Sequence, residues 1–332
     1  MTTTSPAPRS VQPPMARERL VDRWTWRLAI ANLVAQLAII ATGAGVRLTG
    51  SGLGCSQWPM CEPGEFTPRL HEAMSFHPYV EFGNRVLSVG VLVVSAALAW
   101  AVLRREPTAS RPRGLRALGV APLALVLVQA GVGGITVLVE LHPAVVGGHM
   151  GLSLLLVGVS MYLLIRLRSL DVPPRWSVPP AIRITAWAAM AALAVSLVLG
   201  VIATGAGPHS GDAEAPYRWA MDPAHISRVH AIAVWVFLAL LIACLLMLRA
   251  ARDDEALTAW WWLAGATVLQ GAIGYVQYFT GLPALLVGLH VVGSGLLVAA
   301  AVHAMMSLRT RGPELGEPTP QRAAPAPQAP AP

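Results

Sequence analysis

The length of its apolar blocks constrains this chain more than any other feature. Eight of them, at 24–46, 78–103, 116–138, 144–167, 182–204, 223–250, 258–280 and 284–308, are separated by short polar stretches. A helix rising ~1.5 Å per residue needs about twenty apolar residues to cross ~30 Å of hydrocarbon. In lipid every backbone N–H and C=O must be paired inside the protein, which leaves helices and closed barrels. Nothing here alternates with the period of two that barrel strands require. The expected fold class is therefore an all-α integral membrane protein with eight transmembrane helices, in keeping with 55% hydrophobic and only 12% charged residues.

The basic residues set the orientation, and all of them are arginine. Arg17, Arg19 and Arg23 precede the first span, Arg104, Arg105, Arg111 and Arg113 follow the second, and Arg166, Arg168 and Arg175 follow the fourth. Arg249 and Arg252 follow the sixth, and Arg309 and Arg311 the eighth; the alternate loops hold only Arg47, Arg69 and Arg218. The positive-inside rule places both termini in the cytoplasm. The net charge of +7 is then a topology signal, and a nucleic-acid partner is not expected. Trp24, Trp26, Trp100 and Trp260 to Trp262 fall at the inner boundaries, as an aromatic belt should. Residues 1–23 form a polar cytoplasmic segment with no cleavage site, so the first span is expected to stay as an anchor. The Pro/Ala-rich tail, 309–332, is expected to be disordered.

The chain is written twice. "ATGAG" ends the first span at 41–45 and the fifth at 203–207, pairing Thr42 with Thr204. Gln129 matches Gln270, Gly133 matches Gly274 and His149 matches His290, each pair separated by the same interval. Two four-helix halves follow, 24–167 and 182–308, joined by a cytoplasmic linker at 168–181. An even number of spans per repeat makes the halves parallel, related by a pseudo-twofold axis along the membrane normal, with equivalent residues at equal depth.

Intramembrane histidines are expensive and point to function. His149 and His290 lie about a turn and a half inside the outer end of the fourth helix of each half. His230, on the second helix of the second half, lies at similar depth, with His225 near the boundary. His230 and His290 facing one another across a bundle suit a planar metal cofactor held from both sides, haem iron above all. A closed zinc site wants four ligands, and an iron–sulfur cluster wants cysteines, whereas Cys244 is the only one within a span. A packed, hydrogen-bonded imidazole is the plainer reading of any single histidine.

The first half departs from the pattern. Asn84 stands where the repeat puts His230, with Glu81 one turn before it. Glu81 shares a helix face with Asn84 and with His77, so His77 is a candidate ligand from above. Glu81 also has an ion-pair partner in reach, Arg85. Arg85 and Arg228 alternatively suit a haem propionate. A two-histidine haem serves electron transfer, whereas a site with a carboxylate serves chemistry on a bound molecule. Cys55 and Cys61, six apart in the first outer loop, are compatible with a disulfide or with two free thiols. His71, His142, Glu140 and His209 lie in or near outer loops and are expected to be solvated.

With "TGSGLGCSQWPMC", "EFGNR", "GGHMG", "VGLHVVG" and "TGAGPHSGD" together, residues 24–308 resemble the heme A synthase family. "EFGNR" is similar to the actinobacterial version of the motif. The resemblance implies an eight-helix duplicated bundle in the cell membrane that oxidises a methyl group of heme O to the formyl group of heme A for cytochrome oxidase assembly. It implies that Glu81 is the catalytic acid, that His230 and His290 ligate a heme b, that His149 ligates the substrate haem, and that Cys55 and Cys61 form a disulfide. It further implies heme O synthase as a partner, with an electron donor still to be identified. Asn84, where much of the family has histidine, leaves the second substrate ligand open. The competing expectations are a b-type membrane cytochrome that carries electrons without modifying haem, and a transporter built on the repeats.

Overall fold

The computed structural model describes residues 20–69, 76–212 and 217–311. Among them are eight long helices: α1 (Arg23–Leu48), α2 (His77–Arg104), α3 (Arg113–Leu138), α4 (Pro143–Leu167), α5 (Pro180–Ala206), α6 (Pro223–Ala251), α7 (Asp254–Phe279) and α8 (Ala284–Ser307). Seven are long and apolar enough to cross a membrane; α7 falls outside that group. It opens on Asp254 and Glu255 behind the capping residue Asp253. Its length nonetheless matches α3, its counterpart in the first half.

The repeat is visible in what each helix buries. Val91, Ser95, Leu98, Ala99 and Val102 on α2 correspond to Phe237, Leu241, Cys244, Leu245 and Leu248 on α6, all buried. Leu154, Leu156, Ser160, Leu163 and Leu167 at α4 correspond in the same way to Gly295, Leu297, Ala301, Ala304 and Leu308. The backbone repeats too: Leu141 and Leu282, just before α4 and α8, both adopt a φ of 60°, a left-handed conformation that is costly for leucine and so signals a turn fixed by its surroundings. The first helices do not follow suit. α1 buries Thr25, Ala29, Asn32, Gln36, Ile40 and Ala44; of the α5 residues that "ATGAG" aligns with these, only Ala206 is buried. The cause is packing, since α1 lies against α2, α4 and α8, whereas α5 lies chiefly against α6.

Two sequence expectations need correction. Trp260 is no belt residue: it is fully buried in the second half, its indole N–H donating to the Ala304 carbonyl at 3.0 Å. Its counterpart Gly119 sits against Val102, so the second half fills with one ring what the first fills by close approach. Trp26 is stacked beneath the Arg168 guanidinium, 3.5 Å from the ring centroid. Trp24, Trp100, Trp261 and Trp262 remain exposed, as a belt requires. Arg309–Thr310, assigned to the tail, form β2, which pairs antiparallel with β1 (Arg175–Trp176) of the linker. Most of the polar N-terminal segment, the tail from 312 onward and His71 lie outside the described residues.

The termini-side face is tied by Arg111. It donates to both Asp171 carboxylate oxygens (2.7 and 2.8 Å) and to the carbonyls of Leu167 and Ser169 at the end of α4. On the opposite face lie the loops after α1, α3, α5 and α7, including the Cys55–Cys61 disulfide.

Candidate functional site

In the second half, α6 and α8 bring His230 and His290 together across the bundle, ring centroids 6.5 Å apart and planes at 83°. Imidazole nitrogens bind transition metals at ~2 Å, so two rings sharing one ion have centroids about 6 Å apart. One face of α5 prepares His230. The Ser196 carbonyl takes its Nδ1 at 2.9 Å, which leaves Nε2 to bind, the division of roles expected of a ligand imidazole. One turn on is Gly200, where a Cβ would stand 3.1 Å from the ring's Cε1. His290 has the same relation to Gly274 of α7, also 3.1 Å, and its Nδ1 is buried without a hydrogen-bond partner. Gln270 donates to the His290 carbonyl at 2.5 Å. Glycines that clear space for rings, and a buried ring nitrogen left without a partner, fit a group inserted between the two histidines. Among the described residues no three His, Cys, Asp or Glu side chains converge as a closed metal cage. Two imidazoles face one another at this point.

The first half copies one side of this arrangement. His149 on α4 faces Gly133 of α3 at the same 3.1 Å, its Nδ1 is likewise buried and unpaired, and Gln129 donates to its carbonyl at 3.0 Å. At the repeat counterpart of His230, the amide of Asn84 accepts from the Thr42 hydroxyl at 2.7 Å. His77, in the first turn of α2, holds the Ser51 hydroxyl at 2.9 Å through Nδ1. Glu81 is only 5% exposed. Its Oε2 accepts the Cys55 backbone N–H at 2.7 Å and its Oε1 accepts Arg85 at 2.5 Å. The repeat places Ser227, not an acid, at the corresponding point of α6.

Arg85 belongs to the same structure. It donates to Glu81 and to the carbonyls of Gln57 (3.0 Å) and Met60 (3.0 Å), with a longer contact to Pro59. These bonds engage all five N–H groups of its guanidinium. The ion-pair alternative for Glu81 is thus present, and it is part of a clamp on the disulfide loop. Arg228 is exposed on α6. Gly54 lies on the start of α2, where a Cβ would meet the His77 carbonyl at 2.6 Å, and Trp58 covers Gly134 of α3. The loop therefore caps the first half directly above Glu81. Of the residues expected to be solvated, Glu140 is exposed, but His142 caps α4 through Nδ1 and lies beside Tyr217. His209 holds the Leu282 carbonyl at 3.0 Å.

Sequence reasoning missed the ring-facing role of Gly133, Gly200 and Gly274, although the repeat had already paired two of them. It also missed Arg47, which reaches from α1 into the second half to the carbonyls of Thr204 and His209.

Comparison with known proteins identifies the family. The family model for the cytochrome oxidase assembly protein, COX15-CtaA, matches residues 26–302. Curated relatives named heme A synthase include those of Symbiobacterium thermophilum, 37% identical over 131 residues (39% of this chain, 40% of that protein), and Bacillus pumilus, 33% over 129 residues (39% and 40%). A third, from Bacillus mycoides, is 30% identical over 139 residues (41% and 42%). The matched stretch thus spans about two fifths of each relative's length. With the family model extending across both halves, this multi-pass membrane protein belongs to the COX15-CtaA family of cytochrome oxidase assembly proteins.

Proposed function

We propose that the protein is a heme A synthase: it oxidises a methyl group of heme O to the formyl group of heme A in the first half, and a heme b in the second half carries electrons. The observation that carries this reading is an asymmetry between two copies of one site. Both halves present a histidine against a glycine at equal depth, but among the described residues a buried carboxylate, Glu81, occurs only in the first. A pair of electron-transfer haems needs no such acid. Its retention in a membrane interior, where ionisable groups are costly, favours chemistry there.

His230 and His290 would hold the heme b, which supplies reversible one-electron chemistry when bound. His149 would orient the substrate, with His77 the candidate for the opposite side above Asn84. Glu81 is positioned to hold or move a proton at the reacting carbon, or to stabilise positive charge that develops there. Arg85 and the Cys55 N–H fix which way its carboxylate points, and the capped loop keeps water from the site. The arginine distribution supports a cytoplasmic location for the termini in the cell membrane, which places the disulfide face outside. Heme O synthase is the expected supplier of substrate.

The test is extraction of haems from membranes co-expressing this chain with a heme O synthase, separated by chromatography and identified by mass. Heme A from the wild-type chain supports the reading. Heme B alone, with heme O available, would favour the electron-transferring cytochrome.

A further inference from the structure

Two guanidinium groups grip one short segment on the disulfide face. Arg47, in the last turn of α1, donates from Nε to the His209 carbonyl at 2.7 Å and from Nη2 to the Thr204 carbonyl at 3.0 Å. Arg218 donates to the Gly207 carbonyl at 2.5 Å and to the Ser210 hydroxyl at 3.0 Å. Two positive charges are thus gathered on residues 204–210. Among the described residues neither forms an ion pair with a carboxylate. The carbonyl end of α5 offsets part of this charge through the helix dipole, yet Arg47 is half-buried, where a guanidinium with no carboxylate partner among the described residues is costly. Its Nη1 makes no hydrogen bond among the described residues.

The position of the pair suggests what the counter-ion is. On α5, Ser196 holds His230, Gly200 clears its ring and Thr204 receives Arg47, each one turn beyond the last. Arg47 therefore stands about one helical turn, ~5.4 Å, nearer the disulfide face than the facing histidines. A haem between those histidines with its carboxylates toward the loops would bring a propionate to this level. Arg85 is fully engaged elsewhere and Arg228 is exposed, so neither matches this placement as well.

We infer that Arg47, a residue of the first half, binds a propionate of the haem held by His230 and His290 in the second half, with Arg218 as a second positive charge. This rests on the haem reading of the second site. It makes that site a joint product of both halves, so that loading it draws the end of α1 against the end of α5.

The experiment uses the full chain expressed without heme O synthase, so that the resident haem alone is bound, and follows haem-to-protein ratio, rate of haem loss and equilibrium midpoint potential. For Arg47→Gln the expected result is an unchanged two-histidine spectrum, a lower midpoint potential, because a positive charge that disfavours oxidised iron is gone, and haem loss faster by about tenfold. Arg47→Lys should recover part of the potential shift. Unchanged potential and retention in folded Arg47→Gln would overturn the inference. Should that variant fail to fold, the wild-type apoprotein reconstituted with haem dimethyl ester decides the matter. Weaker retention of the ester than of the free acid is expected, and equal retention with equal potential would overturn it. A wild-type chain that binds no haem would instead refute the haem reading itself.

Discussion

Glu81 accepts the backbone N–H of Cys55 at 2.7 Å, so a buried acid of the first half's site is fastened to the disulfide loop that roofs it. The bond fixes the carboxylate from above while Arg85 fixes it from the side. Acid and loop should therefore respond to mutation as a unit.

Glu81→Gln retains an acceptor for Cys55 but loses the proton chemistry and most of the attraction to Arg85. Heme A formation should fall by about 10²–10⁴-fold, with haem content and thermal stability close to wild type. Glu81→Ala should show the same loss and also loosen the loop, seen as faster proteolysis within 49–69. Near-normal heme A from either variant would exclude Glu81 from the chemistry.

Cys55→Ser with Cys61→Ser, or reduction of the intact protein, removes the covalent closure of a loop whose carbonyls Arg85 also binds. The expected cost is about 2 kcal/mol of loop stability, with activity lost in parallel and the second half's haem spectrum unchanged. Mass-resolved thiol labelling against haem composition is the check. A spectrum altered in the second half would show that the loop's influence extends beyond its own bundle.

The three ring-facing glycines allow the halves to be separated. A Cβ at Gly200 or Gly274 would crowd His230 or His290, and one at Gly133 would crowd His149. Gly274→Val should weaken retention of the resident haem by at least about tenfold, ~1.4 kcal/mol, and leave the first site intact. Gly133→Val should leave the resident haem in place and suppress substrate conversion. Haem stoichiometry of the purified variants distinguishes the two patterns.

Much of this was legible because a duplicated chain contains its own comparison: matching His149 with His290 and Gln129 with Gln270 fixed which residues share a depth. The facing of α1 was not legible. "ATGAG" aligns the ends of α1 and α5, but which side of a helix is buried depends on its neighbours, and α1 packs against α2, α4 and α8 whereas α5 packs chiefly against α6. Arg85 was ambiguous for a related reason: a guanidinium has a long reach, and no spacing rule reveals that loop carbonyls, not a ligand, fill its donor positions. Trp260 misled because composition places tryptophan at interfaces, whereas a glycine at the matching point of α3 shows that this position belongs to the core.

Acid pH should loosen the termini-side face. The hydrogen-bonded guanidinium of Arg111 holds the Asp171 carboxyl below its ordinary value. A depressed carboxylate contributes stability that is fully present above the unfolded-state pKa, about 4, and lost as pH falls through the lower folded value. Unfolding temperature should therefore drop below about pH 4, and Asp171→Asn should flatten that acid limb while lowering stability at neutral pH. Arg111→Gln should cost about 2–3 kcal/mol, because several carbonyls at the end of α4 lose their donor with it.

The deepest polar contacts of the first half yield the last prediction. Asn32 donates to Ser160 at 2.9 Å and accepts from Ser95 at 2.8 Å, and all three residues are almost wholly buried. The second half places Leu241 and Ala301 at the two serine positions and is packed with apolar side chains at that level. Hydrogen bonds between membrane helices are worth ~0.6 kcal/mol on average, so the network is not required to hold four helices together, as the second half demonstrates. It does impose a register, because Asn32 has two partners only when α1, α2 and α4 stand in one alignment. Ser160→Ala alone, copying Ala301, leaves the Asn32 amide short of a partner and should cost about 1–2 kcal/mol. Asn32→Leu combined with Ser95→Ala and Ser160→Ala removes every member of the network together and should recover most of that loss in a thermal unfolding series. Recovery would identify the triad as an alignment device; an equal or larger loss in the triple variant would show that the first half depends on these bonds for its stability.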